Sequence, residues 1–170
     1  LDLSDKANFL LFDEGESMRV RNAVNSLIYS LLSNQPASHQ KFILFDPEGR
    51  SQGFAPYLEF MRSNPAVMYN KVFTTQQQLR TQIEELSSFI DEFSQTKLAD
   101  SPDIFAYNRI SVERPESLKC LCLLNFPKGF DEQMLEQLYN IVKNGSSCGV
   151  QTFIHFDEGA IRNSSSATYV

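Results

Sequence analysis

The stretch DEGESMRVR, residues 13–21, holds the densest set of groups able to do chemistry. It lies between an apolar burst, Phe9 to Phe12, and a helical pattern, which is the layout of a loop that cradles phosphate. Such a loop uses glycines so that main-chain N–H groups can turn onto the anion, a lysine for the outer phosphate oxygens, and a hydroxyl for magnesium. Gly15 and Ser17 are present, and Arg19 and Arg21 stand where a helix start favours an anion. Asp13, Glu14 and Glu16 would meet that anion with like charge. One carboxylate a few ångströms from a phosphate costs on the order of a few kcal/mol at an effective dielectric of about 20, enough to erase micromolar binding. The plainer expectation is that the two arginines pair with the three acids as a solvated cluster.

Other reactive residue types are scattered. Asp46 ends the apolar run KFILF, where it could line a ligand crevice or cap the turn before Pro47. His155 in FIHFDEG could act as a base beside Asp157 or Glu158, yet with no nucleophile in view it reads as a satisfied strand residue. Glu84, Glu85, Asp91 and Glu92 lie on a helix whose apolar face is made by other residues, so they read as a solvated face. Cys120, Cys122 and Cys148 form no CxxC pair and histidine occurs only at His39 and His155, so a zinc site lacks ligands. Cys120 and Cys122, two apart in an apolar run, share one strand face and read as buried.

These residues need elements to hold them. With 170 residues, 42% hydrophobic and 12% aromatic, the chain can bury one core and reads as one domain. A net charge of -6 argues against a phosphate-neutralising surface on this chain alone, so DNA would be reached only through an assembly. No apolar stretch approaches the roughly 20 residues that span a bilayer, so no membrane insertion is expected.

Asn8 to Phe12 predicts a buried strand, and Val20, Val24, Leu27, Ile28, Leu31 and Leu32 predict one face of a helix. KFILF predicts a second strand, KVFT an edge strand after an irregular stretch, and Leu79 to Phe93 a long amphipathic helix. Phe54, Tyr57, Phe60, Met61, Met68 and Tyr69 form an aromatic and methionine-rich group, assigned to core packing over packing on a neighbour. A link around Ser101 to Glu116 leads to LKCLCLLNF, suited to a central strand, then a helix ended by Asn144-Gly145, then the strand VQTFIHF. Alternating strands and helices predict a three-layer α/β domain with a mostly parallel sheet.

The order of segments resembles the motor domain of FtsK/SpoIIIE-type DNA translocases, in the HerA/FtsK group of P-loop ATPases that includes the type VII secretion ATPases. NSLIYSLL resembles the helix after the P-loop, and ILFDPEG the second strand, which in the family ends in Asp-Pro-Lys. FAPYLEF, QQLRTQIEELSSFIDEF and FAYNRI resemble successive later segments, and NIVKNGSSCGVQTFIHF the helix, turn and strand before the sensor. The resemblance implies a RecA-like P-loop NTPase fold over residues 1–157, with 158–170 a loop or tail of a fold truncated at the C-terminus.

Set against the family's motifs, this chain departs at each chemical position. An ungapped alignment puts Val20 where the Walker A lysine stands and Arg21 where its Ser/Thr stands. Asn125 replaces the magnesium-linked Asp, and Phe126 the catalytic Glu. An amide is no charged metal anchor, and a phenyl ring does not activate water. His155, Phe156 and Asp157 fall over the sensor's Ala, Thr and Gln. The resemblance with these losses implies a non-hydrolysing, structural or regulatory domain of a larger DNA-translocation or protein-secretion motor. Its expected partners are other domains or subunits of that motor, with no catalytic residues, no metal and no cofactor. ATP and magnesium enter only if Arg19 or Arg21 replaces the lysine in an active translocase, with Asp46 and Asp157 as metal anchors. A nucleic-acid-binding module without ATPase is the further alternative. The expected location is the cytoplasm, with a membrane tether only through other parts of a parent protein.

Overall fold

The computed structural model describes residues 8–14, 17–34, 39–48, 52–69, 71–111 and 115–163. Its elements are β1 (Phe9–Asp13), α1 (Met18–Asn34), β2 (Gln40–Phe45), α2 (Leu58–Ser63), α3 (Gln76–Thr96), α4 (Ile104–Ile110), β3 (Leu118–Phe126), α5 (Glu132–Asn144), β4 (Val150–Asp157) and α6 (Glu158–Asn163). The four strands form one parallel sheet in the order β1-β4-β3-β2. The chain therefore crosses from one edge to the other between β1 and β2, then steps back strand by strand. Right-handed crossovers in opposite directions put α1 on one face and α3, α4 and α5 on the other, giving three layers.

Each helix is fixed by the residues at its ends and on its buried stripe. Val20, Val24, Ile28 and Leu31 of α1 are buried at the i, i+4, i+8, i+11 spacing of one face. At the start of α3, the Thr75 side chain accepts from Gln78 N at 3.4 Å while the Gln78 amide reaches back to Thr75 N, a reciprocal cap. Leu79, Ile83, Leu86, Ile90 and Phe93 then face the sheet. Asp131 caps α5 by accepting from Met134 N at 3.0 Å and also pairs with Arg80 of α3, so one carboxylate fixes both helices. Gly149, at φ +77, turns the chain from the end of the α5 region into β4.

β3 and β4 lie inside the sheet and are buried almost throughout. Cys120, Cys122 and Cys148 are buried and free; burial pushes the Cys120 thiol up to about 12 and Cys122 well above its ordinary value. Phe54, Tyr57, Met61 and Met68 belong to the core, with Phe60 and Tyr69 packed against it. Glu84, Glu85, Asp91 and Glu92 are exposed.

Four expectations are revised. β1 is an edge strand: Leu10 and Phe12 are 51% and 57% exposed, because only alternate residues face the α1 side and the other side is open there. Among the described residues KVFT contributes a single parallel bridge, Phe73 to Phe45, in which Phe73 O accepts from Asp46 N and Phe73 N donates to Leu44 O. The link between Ser101 and Glu116 contains α4, started by Asp103, whose side chain accepts from Ala106 N at 2.8 Å. The region after the second strand contains α2, and residues 158–163 form α6, both too short to show periodicity.

Candidate functional site

Strand order reverses between β1 and β4: the connection after β1 runs toward β2, while β3 and β4 step the other way. Crevices for ligands form outside the carboxyl ends of strands at such a point. The residues gathered there are Asp13 at the end of β1 and Ser17 beyond it, Asp46 and Glu48 after β2, Asn125 and Phe126 at the end of β3 with Lys128 beyond it, and His155 and Asp157 at the end of β4.

The loop after β1 is closed by its own acid. Asp13 Oδ2 accepts the Ser17 hydroxyl at 2.6 Å, and Oδ1 accepts Glu14 N–H at 2.9 Å. Ser17 Oγ accepts Val20 N–H at 3.2 Å, and the Ser17 carbonyl accepts Arg21 N–H, so Ser17 caps α1. The Ser17 hydroxyl, then the Glu14 N–H, hold the Asp13 carboxyl below its ordinary 3.8, and Arg19 adds to this. Arg19 is exposed and Arg21 half-buried. Val20, at the position aligned with the lysine, points into the core at 4% exposure. Gly15 and Glu16 lie outside the described residues.

Asp46 is fully buried, with its carboxylate accepting Gly53 N–H at 3.3 Å, which ties the segment after β2 to the strand end. Asn125 adopts φ +57, a left-handed conformation that asparagine tolerates better than most residues, where β3 shifts register against β4. Its N–H donates to His155 Nδ1 at 3.1 Å, which leaves the proton of the neutral ring on Nε2. The side-chain amide of Asn125 is buried with no hydrogen-bond partner among the described residues, and the His155 ring has a hydrogen bond to the Asp13 main chain that favours its charged form. Phe126 is buried in a run of rings: it meets Phe130 at 5.1 Å and Phe156 at 4.9 Å, and Phe156 stacks on Phe12 at 4.8 Å.

Asp157 caps α6, with Oδ1 accepting Gly159 and Ala160 N–H at 3.0 and 3.2 Å. Its other oxygen accepts from Lys128 Nζ at 3.1 Å, and Lys128 reaches Glu48 Oε1 at 2.7 Å. Burial would lower the lysine, but hydrogen bonds to Glu48 and Asp157 outweigh it and raise the amine above 10.5. One cation thus joins the ends of β2, β3 and β4. Sequence reasoning passed over Lys128; its signal is the turn PKGFD directly after the strand that ends in Asn125-Phe126. Arg162 of α6 pairs with Glu14 at 3.5 Å and Glu158 at 3.2 Å, both on the exposed surface. Among the described residues no three His, Cys, Asp or Glu side chains cluster to hold a metal ion.

His155 gives the site a pH response. Burial lowers its pKa below 6.5, although Asp157, Asp13 and the Asp13 main chain favour the charged ring and Lys128 opposes it. The unfolded chain therefore binds a proton at a higher pH than the folded one. Stability is unaffected by this group above pH 6.5 and falls as pH drops from 6.5 toward the folded value, by up to about 1.4 kcal/mol per unit. Urea unfolding between neutral and mildly acidic pH should show this slope, and His155→Gln should flatten it. An unchanged slope in the variant would assign the response to other groups.

No protein-family model matches the chain, and no curated protein matches it. Solved structures do. The pCW3 conjugation coupling protein TcpA, in its monomer form with ATPgS, superposes with a TM-score of 0.67 at 14% identity, over 92% of this chain and 44% of TcpA. The cytoplasmic domain of EssC gives 0.70 at 16% identity, over 90% of this chain and 29% of that one. ATPases 2 and 3 of EssC from Geobacillus thermodenitrificans give 0.68 at 16%, over 92% and 29%. The chain thus has the fold shared with these TcpA and EssC structures, and it spans less than half of each of them. No helix among the described residues is long and apolar enough to cross a membrane.

Proposed function

We propose that the chain is a non-hydrolysing FtsK/SpoIIIE-like domain that serves a structural or regulatory part in a larger conjugation-, translocation- or secretion-type assembly. The observation that carries this reading is the closed start of α1. The Val20 N–H that would face a phosphate is used by Ser17, the Ser17 hydroxyl is used by Asp13, and the lysine position is a core valine. The donor set fits a magnesium nucleotide poorly: a bound phosphate would have to displace an internal carboxylate and would lie among Asp13, Glu14 and Asp157. Asn125 and Phe126 supply neither a charged metal anchor nor a base. The matched TcpA and EssC structures are larger than this chain, which supports partners in the form of other domains of one assembly. DNA, if contacted at all, would be reached through that assembly, and a cytoplasmic setting belongs to the same reading.

Calorimetric titration of the purified chain with magnesium-ATP and with a non-hydrolysable analogue tests it. The expected result is no binding in the micromolar range and no phosphate release. Micromolar binding would overturn the reading and favour an active motor built around Arg19 or Arg21.

A further inference from the structure

At the end of the sheet opposite the crevice, Lys41 and Lys119 are register partners on the parallel strands β2 and β3, so their side chains leave the same face about 5 Å apart at the backbone. Lys119 Nζ stands 3.2 Å from the centroid of the Phe89 ring and donates to the Ser117 carbonyl at 3.4 Å. Lys41 Nζ stands 4.6 Å over Tyr69. The rings continue outward: Phe89 stacks on Phe93 at 5.3 Å, Phe93 meets Tyr107 edge-on at 5.4 Å, and Lys97 Nζ lies 5.6 Å over Tyr107.

Lys41 disfavours the charge on Lys119, and neither amine forms an ion pair with a carboxylate among the described residues. Burial pushes Lys119 down to about 8; Glu116 raises it and Lys41, with a smaller effect, lowers it. In a chain of net charge -6, a partly buried lysine beside a second lysine, neither ion-paired with a carboxylate among the described residues, would gain from an anion seated near both. Half-buried aromatic rings beside desolvated cations are also the makeup of interface anchors.

We propose that Lys41 and Lys119, flanked by Tyr69 and Phe89, form a docking site for an acidic segment of a partner protein, with an Asp or Glu carboxylate seated between the two amines. A nucleic acid fits less well, because two or three lysines neutralise only a short run of phosphates and the rest of the chain is acidic. The site lies at the far end of the sheet from the crevice, so it stands whether or not a nucleotide binds there.

The test is fluorescence anisotropy of a labelled Asp/Glu-rich peptide carrying one tyrosine, titrated with the full chain at neutral pH and low salt. The expected result is saturable binding that weakens with added salt and falls roughly ten-fold or more in a Lys41→Ser/Lys119→Met double variant. Lys143→Ser, on α5, should leave it unchanged. Thermal melting establishes that the double variant is folded. Absence of binding to the native chain overturns the proposal, as does equal binding by a folded double variant. Tighter binding of labelled oligothymidylate than of the peptide, through the same lysines, overturns it in favour of nucleic acid.

Discussion

Val20→Lys is expected to lower the unfolding free energy by about 3–5 kcal/mol, the cost of leaving an uncompensated charge in the interior. Val20 sits one turn into α1 with its side chain among the buried stripe that continues through Val24, Ile28 and Leu31. A lysine there has two courses. It can bury its ammonium without a carboxylate, or it can drag the first turn of α1 outward and break the Ser17 cap on Val20 N–H. Urea unfolding should show a lower midpoint with the slope retained. Val20→Ala, which only opens a small cavity, should cost roughly 1–3 kcal/mol. A lysine variant as stable as the parent would mean that position 20 reaches the crevice after all, and would reopen the nucleotide reading. Restoring the motif lysine is therefore a poor assay for dormant ATPase activity, since it damages the helix that would present it.

Gly149→Ala should be nearly as costly, about 2–4 kcal/mol from two additive causes. The first is the left-handed backbone at φ +77, which disfavours any Cβ. The second is space, since a Cβ built there lies 2.6 Å from Ile104 Cδ1 and 3.1 Å from Leu118 Cδ2. Both neighbours are buried, and the Gly149 carbonyl also accepts Lys119 N–H at 2.8 Å, so the turn has little room to shift. Thermal and urea unfolding would measure the loss. A cost under about 1 kcal/mol would show that α4 can move aside, and would make its packing on β3 softer than described.

The alternation of strands and helices was legible because each long helix carries a buried stripe at helical spacing and β3 is apolar throughout. The parallel sheet followed from that alternation. β1 was misjudged because an unbroken apolar run such as FLLF looks the same whether one face or both are covered. The short helices α2, α4 and α6 were missed because their one or two turns leave little periodicity to count; α4 does have a readable start in Asp103, and α6 in Asp157. At the crevice, sequence alignment located Ser17, Asp46, Asn125 and Asp157 at strand or helix ends, but it could not say which way side chains face. Val20 turns inward because its helix begins at Met18, not because of its own chemistry. Lys128 escaped notice because its partners Glu48 and Asp157 are far apart in sequence, and only the strand order brings them within reach.

The run of rings Phe12, Phe156, Phe126 and Phe130 constrains what position 126 can become. Each ring contact contributes about 0.5–1.5 kcal/mol beyond its area, and Phe126 takes part in two of them. A glutamate at 126 would forfeit both and bury a carboxylate where Phe126 is now buried. Under the function proposed above, a step toward hydrolysis through residue 126 would therefore begin with a loss of stability. Packing of this kind works as a ratchet: once the ring is seated among its neighbours, an acid can take its place only at a cost in stability.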